Sequence, residues 1–183
     1  EASLEAYQEM LMRSPYAPIP LAASARVEAQ SGNIDNAKEF LKKAIELKPD
    51  YAKAHFMLAQ IAAGEGNLKE AIQKTEDTKL FAPNDVGVLF QLGFLYYQSK
   101  NFASSGANFE RAVSQSPNYA NARYFLGLIY DRGGRKEDAI AQFEKIEELN
   151  PENAEVKTIL ENLRNDRRAL EGISPPEPLP EER

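Results

Sequence analysis

The chain has no cysteine, no tryptophan and one histidine, His55. Without cysteine there is no disulfide framework and no thiolate metal site, and neither side of a membrane is favoured. A lone histidine, with no Asp or Glu at ligand spacing around it, gives no zinc-type ligand set. There is no surplus of basic residues: 28 acidic residues against 22 basic ones give a net charge of −6 and a pI near 5.0. The charges are interspersed, and without a basic stripe nucleic acid is not an expected partner. No apolar run approaches the roughly 20 residues of a membrane span, and none reads as a signal peptide. No phosphate-cradling loop and no local nucleophile–base motif is present. Gly64-Glu65-Gly66 and Gly133-Gly134 read as helix–helix turns, and Glu147-Glu148 as a solvated helix face. These absences argue against an enzyme and leave a binding or structural protein, with no catalytic residue, metal, cofactor or membrane insertion expected in this segment.

What the chain does have is a period. Pro15, Pro49, Pro83, Pro117 and Pro151 recur every 34 residues. A fixed interval of this size means stacked supersecondary units, each too small to bury its apolar face alone. Starting each unit three residues after a proline gives 18–51, 52–85, 86–119 and 120–153. In each, two apolar stripes at helical spacing are joined by a short turn.

The first helix of a unit carries a large residue followed by a small one: Leu58-Ala59, Leu92-Gly93 and Leu126-Gly127, with Ser24-Ala25 in the first unit. Gly32, Gly66 and Gly134 stand where the helix ends and φ must turn positive. Lys100 holds that place in the third unit, at an expected cost of about 1 kcal/mol. Asn33 and Asn67 follow as expected N-caps, and Glu70 completes a capping box with Asn67. In the second helix Ala37, Ala71, Ser105 and Ala139 share one interface position. Leu41, Thr75, Phe109 and Phe143 lie one turn on. The proline then blocks continuation. Thr75 and Thr78 replace larger or more apolar residues, so the second unit is expected to pack less well.

These residues resemble the tetratricopeptide repeat family over roughly residues 1–170. The match is best in Leu92, Gly93, Tyr96, Phe109, Ala112, Pro117 and in Leu126, Gly127, Tyr130, Ala139, Phe143, Pro151. Glu28 and Ala62 depart from the pattern where Tyr96 and Tyr130 keep it. The resemblance implies an all-α, right-handed solenoid of antiparallel helix pairs with about ten helices. Residues 1–17 would hold the second helix of a truncated unit, with Tyr7 and Met10 inward. Residues 154–172 would hold a capping helix, its stripe Val156, Ile159, Leu160 and Leu163, and its outer face polar at Glu161. Residues 173–183, with four prolines and three glutamates, read as a polyproline-like acidic tail that could contact the body or a neighbouring molecule. The chain begins at Glu1 inside a helical pattern, and reads as a segment of a longer protein.

In the resembled family the inner positions of each first helix line a ligand groove. They map here onto Ala22, Arg26 and Ala29 in the first unit, onto Lys53, Phe56, Gln60 and Ala63 in the second, and onto Phe90, Phe94, Tyr97 and Gln98 in the third. In the fourth they map onto Asn121, Tyr124 and Leu128, with Asp131 and Arg132 beyond. Aromatic rings edged by amides suit a peptide or protein segment. Phe56, Phe90, Gln60 and Phe94 stand where some relatives use charged residues to grip a C-terminal carboxylate, so an apolar or mixed ligand is expected. The alternative is that Phe90, Phe94 and Tyr124 pack between neighbouring first helices. His55, at the fourth position of its unit, is expected to serve helix packing.

The stretch Ala122–Tyr130, with Ile159–Arg164 and the acidic Pro-rich ending, also resembles repeat arrays appended to bacterial membrane proteins of the O-antigen polymerase or ligase type. That would make the segment an accessory of a glycan-assembly enzyme. A structural spacer or self-association element, the tail included, is the third reading.

Overall fold

A computed structural model describes residues 17–173. Among these residues the chain forms nine helices and no strand. They are α1 (Pro18–Gln30), α2 (Ile34–Leu47), α3 (Ala52–Gly64), α4 (Leu68–Phe81), α5 (Val86–Gln98), α6 (Phe102–Gln115), α7 (Ala120–Arg132), α8 (Lys136–Leu149) and α9 (Ala154–Arg164). The helix expected before Pro18, with Tyr7 and Met10, and the tail beyond Ile173 lie outside the described residues.

The turns repeat as the sequence does. Gly32, Gly66 and Gly134 take φ of 83°, 75° and 74°, and Lys100 takes 61° in the same place. At each turn the left-handed residue donates three residues back and the next residue donates five back. Gly66 N bonds Ala63 O at 3.0 Å and Asn67 N bonds Ala62 O at 3.0 Å. Lys100 and Asn101 do the same to Tyr97 and Tyr96 at 3.0 and 2.9 Å. This pair of bonds satisfies carbonyls that a helix end would otherwise leave open. The second helices stop two residues short of each proline. Lys48, Ala82 and Asn150 leave the helical region with φ of −141°, −135° and −142°, as the residue before proline must.

Caps follow the sequence unevenly. The Asn67 side chain accepts from Glu70 N at 3.3 Å and donates to Glu70 Oε2 at 2.6 Å. Asn33 does not cap α2; its amide donates instead to Glu28 Oε2 at 2.9 Å. Asp85 and Asn153 cap α5 and α9, accepting from Val88 N and Val156 N at 2.9 and 3.0 Å.

The chain divides into two units, residues 1–101 and 102–183. In the first, α1 packs on α2, α2 on α3, α3 on α4 and α4 on α5. Leu21, Ala25, Ala37, Leu41, Ala44, Ala54 and Leu58 form its larger core. Ala62, Ala71 and Leu95 form a second cluster. Thr75 and Thr78 are fully buried, and each hydroxyl donates to the carbonyl four residues back at 2.7 Å. This bonding satisfies the polar atom within its own helix, and no buried side-chain polar atom among the described residues lacks a partner.

In the second unit α6 packs on α7, α7 on α8 and α8 on α9. Phe109, Leu126, Phe143, Val156, Ile159, Leu160 and Leu163 are among its buried apolar residues. Phe109 stacks on Phe125 with ring centroids 5.5 Å apart. The helix expected over 154–172 stops at Arg164. Asp166 takes φ of 59°; its N–H donates to Leu163 O, and Arg167 N donates to Asn162 O at 2.9 Å. The left-handed helix end thus comes early, on an Asp that tolerates this conformation. Residues 165–173 then fold back.

Candidate functional site

Helical spacing decides which inner residues share a face. In the first unit, Phe90, Phe94 and Tyr97 stand at i, i+4 and i+7 on α5, and Phe56 and Gln60 at i and i+4 on α3, so each set lies along one side of its helix. Phe56, Phe90, Phe94 and Tyr97 are half-buried, and Gln60 and Gln98 are exposed. The Phe90 and Phe94 rings stack with centroids 6.4 Å apart and planes 10° from parallel. Partly accessible aromatic faces next to free amide ends can bury apolar ligand area and still hydrogen-bond a ligand backbone. His55 faces the other way: its Nε2 lies 2.8 Å from Pro49 O and its ring 5.1 Å from that of Phe81.

The second unit treats its share of the expected residues differently. Asn121 is exposed. Tyr124 is half-buried and its hydroxyl donates to Glu155 Oε1 on α9 at 2.6 Å. Its ring meets Phe143 edge-on at 5.7 Å, so the side chain ties α7 to the helices after it. Leu128 is only 8% exposed, which removes it from any presented surface. It stands one turn before Asp131, on the side of α7 that the fold-back reaches. Arg168 Nη1 donates to Asp131 O at 2.8 Å, and Ala169 N donates to Asp131 Oδ2 at 3.2 Å. The buried Asn162 amide holds the same segment from α9, donating to Ala169 O at 3.1 Å and Glu171 O at 2.8 Å. Ala169 is completely buried. Residues 168 and 169 of the fold-back therefore bond α7 at Asp131, the position beyond Leu128. These bonds join residues seven to 38 positions apart and have no counterpart in the earlier repeats, so periodicity could not announce them.

Sequence reasoning also passed over a cavity of about 470 Å³ in the second unit, lined by Phe102, Gly106, Glu110, Tyr130, Arg132 and Arg135 among others. The Arg132 guanidinium lies 4.2 Å from the Phe102 ring centroid and that of Arg135 lies 4.1 Å from Tyr130. Partial burial, with the bond to Glu110, pushes the Tyr130 phenol up to about 12. No helix among the described residues is long and apolar enough to cross a membrane.

Family models described as tetratricopeptide repeat match residues 28–87 and 90–154. The chain is 29% identical over 126 residues, 68% of its length, to tetratricopeptide repeat-containing protein trd-1 of Caenorhabditis elegans. It is 24% identical over 143 residues, 77% of its length, to pre-mRNA-splicing factor 6 of Saccharomyces cerevisiae. It spans 16% of each of these curated relatives. Among solved structures it resembles YrrB, described as a TPR protein with an unusual peptide-binding site, with a TM-score of 0.76 and 21% identity over 91% of this chain and 88% of that one. It also resembles MamA from Desulfovibrio magneticus RS-1, with a TM-score of 0.72 and 22% identity over 84% of this chain and 89% of that one. At these identities the structural likeness establishes the all-α repeat fold. The matches are to the repeat itself and lend no support to the looser resemblance to arrays of O-antigen polymerase-type proteins.

Proposed function

Since the chain belongs to the tetratricopeptide repeat family, and so is a protein–protein interaction module, we propose that its first unit receives a peptide or protein segment along the inner faces of α3 and α5. Phe56, Phe90, Phe94 and Tyr97 supply the apolar contact, and Gln60 and Gln98 bond the ligand backbone at its edges. The observation that carries this reading is the stacked, half-buried Phe90–Phe94 pair beside exposed Gln98. An aromatic pair of this kind presents rigid area at little entropic cost. Phe56, Gln60, Phe90 and Phe94, standing where a carboxylate grip uses charged side chains, favour an apolar or mixed segment over a terminal carboxylate. In the second unit Leu128 is buried and the Tyr124 hydroxyl is bonded to Glu155, which leaves Asn121 and Arg132 exposed, so the aromatic contact falls to the first.

Selection of displayed peptides on the intact chain, with counter-selection on a Phe90→Ala/Tyr97→Ala variant, tests the proposal. Apolar or aromatic segments that bind the intact chain at least about tenfold more tightly, a difference of about 1.4 kcal/mol, are the expected result. Segments that bind both proteins alike, with both helical by circular dichroism, would contradict it and favour the spacer reading.

A further inference from the structure

Among the described residues, three of the four junctions at which a second helix meets the following first helix are closed by a side-chain hydrogen bond at one fixed place. Tyr96 on α5 donates to Glu76 Oε1 on α4 at 3.0 Å. Tyr130 on α7 donates to Glu110 Oε1 on α6 at 2.9 Å. Arg164 on α9 donates to Glu144 Oε1 on α8 at 2.9 Å. In every case the donor follows the acceptor by 20 residues, and successive pairs follow one another by 34. At the α2–α3 junction the same two positions hold Lys42 and Ala62. The acceptor has become a donor, and the ring has shrunk to a methyl group.

A cavity of about 240 Å³ opens at this junction, lined by the apolar Leu58 and Ala62 and by charged side chains from α2, α4 and the α3–α4 turn. Lys38 bonds Glu65 at 2.5 Å, and Lys74 lies 3.4 Å from Glu70, so both carboxylates on the rim are already balanced. Lys42, the third lysine of the lining, is exposed and enters no ion pair among the described residues.

We propose that this cavity is a socket for one aromatic side chain of a partner segment that carries a carboxylate on, or next to, the aromatic residue. The ring takes the position that the Tyr96 and Tyr130 rings hold at their junctions. The carboxylate supplies the acceptor that Lys42 faces in place of Glu76 or Glu110, and a charge-assisted bond of this kind is stronger than a neutral one. A basic aromatic segment meets the Lys42 charge and is rejected. The socket is separate from the inner faces of α3 and α5, since Leu58 and Ala62 leave α3 on a different side from Phe56 and Gln60, so each site stands or falls without the other.

The test uses the full chain and 3-phenylpropionate, the simplest ring bearing a carboxylate, followed through backbone amide shifts at Lys42, Leu58 and Ala62. Propionate and benzyl alcohol are the controls for charge alone and ring alone. Saturable shifts are expected with phenylpropionate, about tenfold weaker with either control, a factor in line with losing one charge-assisted bond or one buried ring. Ala62→Tyr fills the cavity and abolishes the response, and Lys42→Glu weakens it about tenfold. The Ala62→Tyr/Lys42→Glu double variant rebuilds the missing bond and unfolds at higher denaturant than either single variant. No saturable response, an undiminished response in folded Ala62→Tyr, or equal responses to either control would overturn the proposal. If Ala62→Tyr does not fold, an unchanged response in Lys42→Glu overturns it alone.

Discussion

A β-carbon added to Gly127 would sit 2.6 Å from Cε2 and 2.8 Å from Cζ of Phe143. Glycine is therefore required in the middle of α7 for packing, although it weakens the helix locally. Phe143 is completely buried, so its ring can shift only by moving packed neighbours. Gly127→Ala is expected to cost roughly 1–3 kcal/mol, as overpacked cores do, read from urea unfolding. Leu126→Ala, at the neighbouring core position, should cost roughly 2–5 kcal/mol by the opposite defect, a cavity.

Lys100 occupies a left-handed position that three other turns give to glycine. Replacing it with glycine removes strain of about 1–2 kcal/mol and gives back part of that through the more flexible unfolded chain. Lys100→Gly should raise stability by about 0.5–1 kcal/mol. A reciprocal Gly66→Lys change should lower it, both read from urea unfolding curves.

The Tyr130 phenol is raised by burial and by its bond to Glu110 from about 10 to about 12. The folded chain thus keeps a proton that the unfolded chain releases near pH 10. The stabilisation is complete below pH 10 and is lost as the pH rises through 12. Wild-type unfolding midpoints should fall more steeply over that interval than those of Tyr130→Phe. The variant should also lose a phenol that titrates near 12 from the absorbance spectrum.

Asp131 and Asn162 hold the fold-back from two helices. Asn162→Ala leaves the carbonyls of Ala169 and Glu171 unmet and should cost about 1–3 kcal/mol. Asp131→Ala removes the acceptor for Ala169 N–H, so that amide should exchange faster with solvent while amides of the α7 core keep their protection.

The sequence made the repeated part of this molecule legible and the unrepeated part obscure. The prolines located the stops of the second helices, and Gly32, Gly66, Lys100 and Gly134 located the left-handed turns, because each of these features is local and recurs at the same place. Thr75 and Thr78, expected to loosen the second repeat, bond carbonyls four residues back, contacts that the repeat pattern does not announce. Leu128 was read as a ligand contact because its position was inferred from the repeat alone. Spacing gives its side of the helix but not its burial. Asn33 does not cap α2, and its amide donates to Glu28, which stands here in place of an aromatic residue. The exposure of Phe56, Phe90, Phe94 and Tyr97 could not be read from spacing, which gives a shared face but not what covers it.

The measurement that bears most directly on the binding role is a paired one on Tyr97→Ala: the dissociation constant for a selected segment and the urea midpoint of the free chain. A dissociation constant weakened about tenfold or more, the scale of a contact residue worth over 1 kcal/mol, with a nearly unchanged midpoint, is the predicted result. An unchanged dissociation constant, or a midpoint that falls as far as that of Leu126→Ala, would make Tyr97 a packing residue and contradict the assignment.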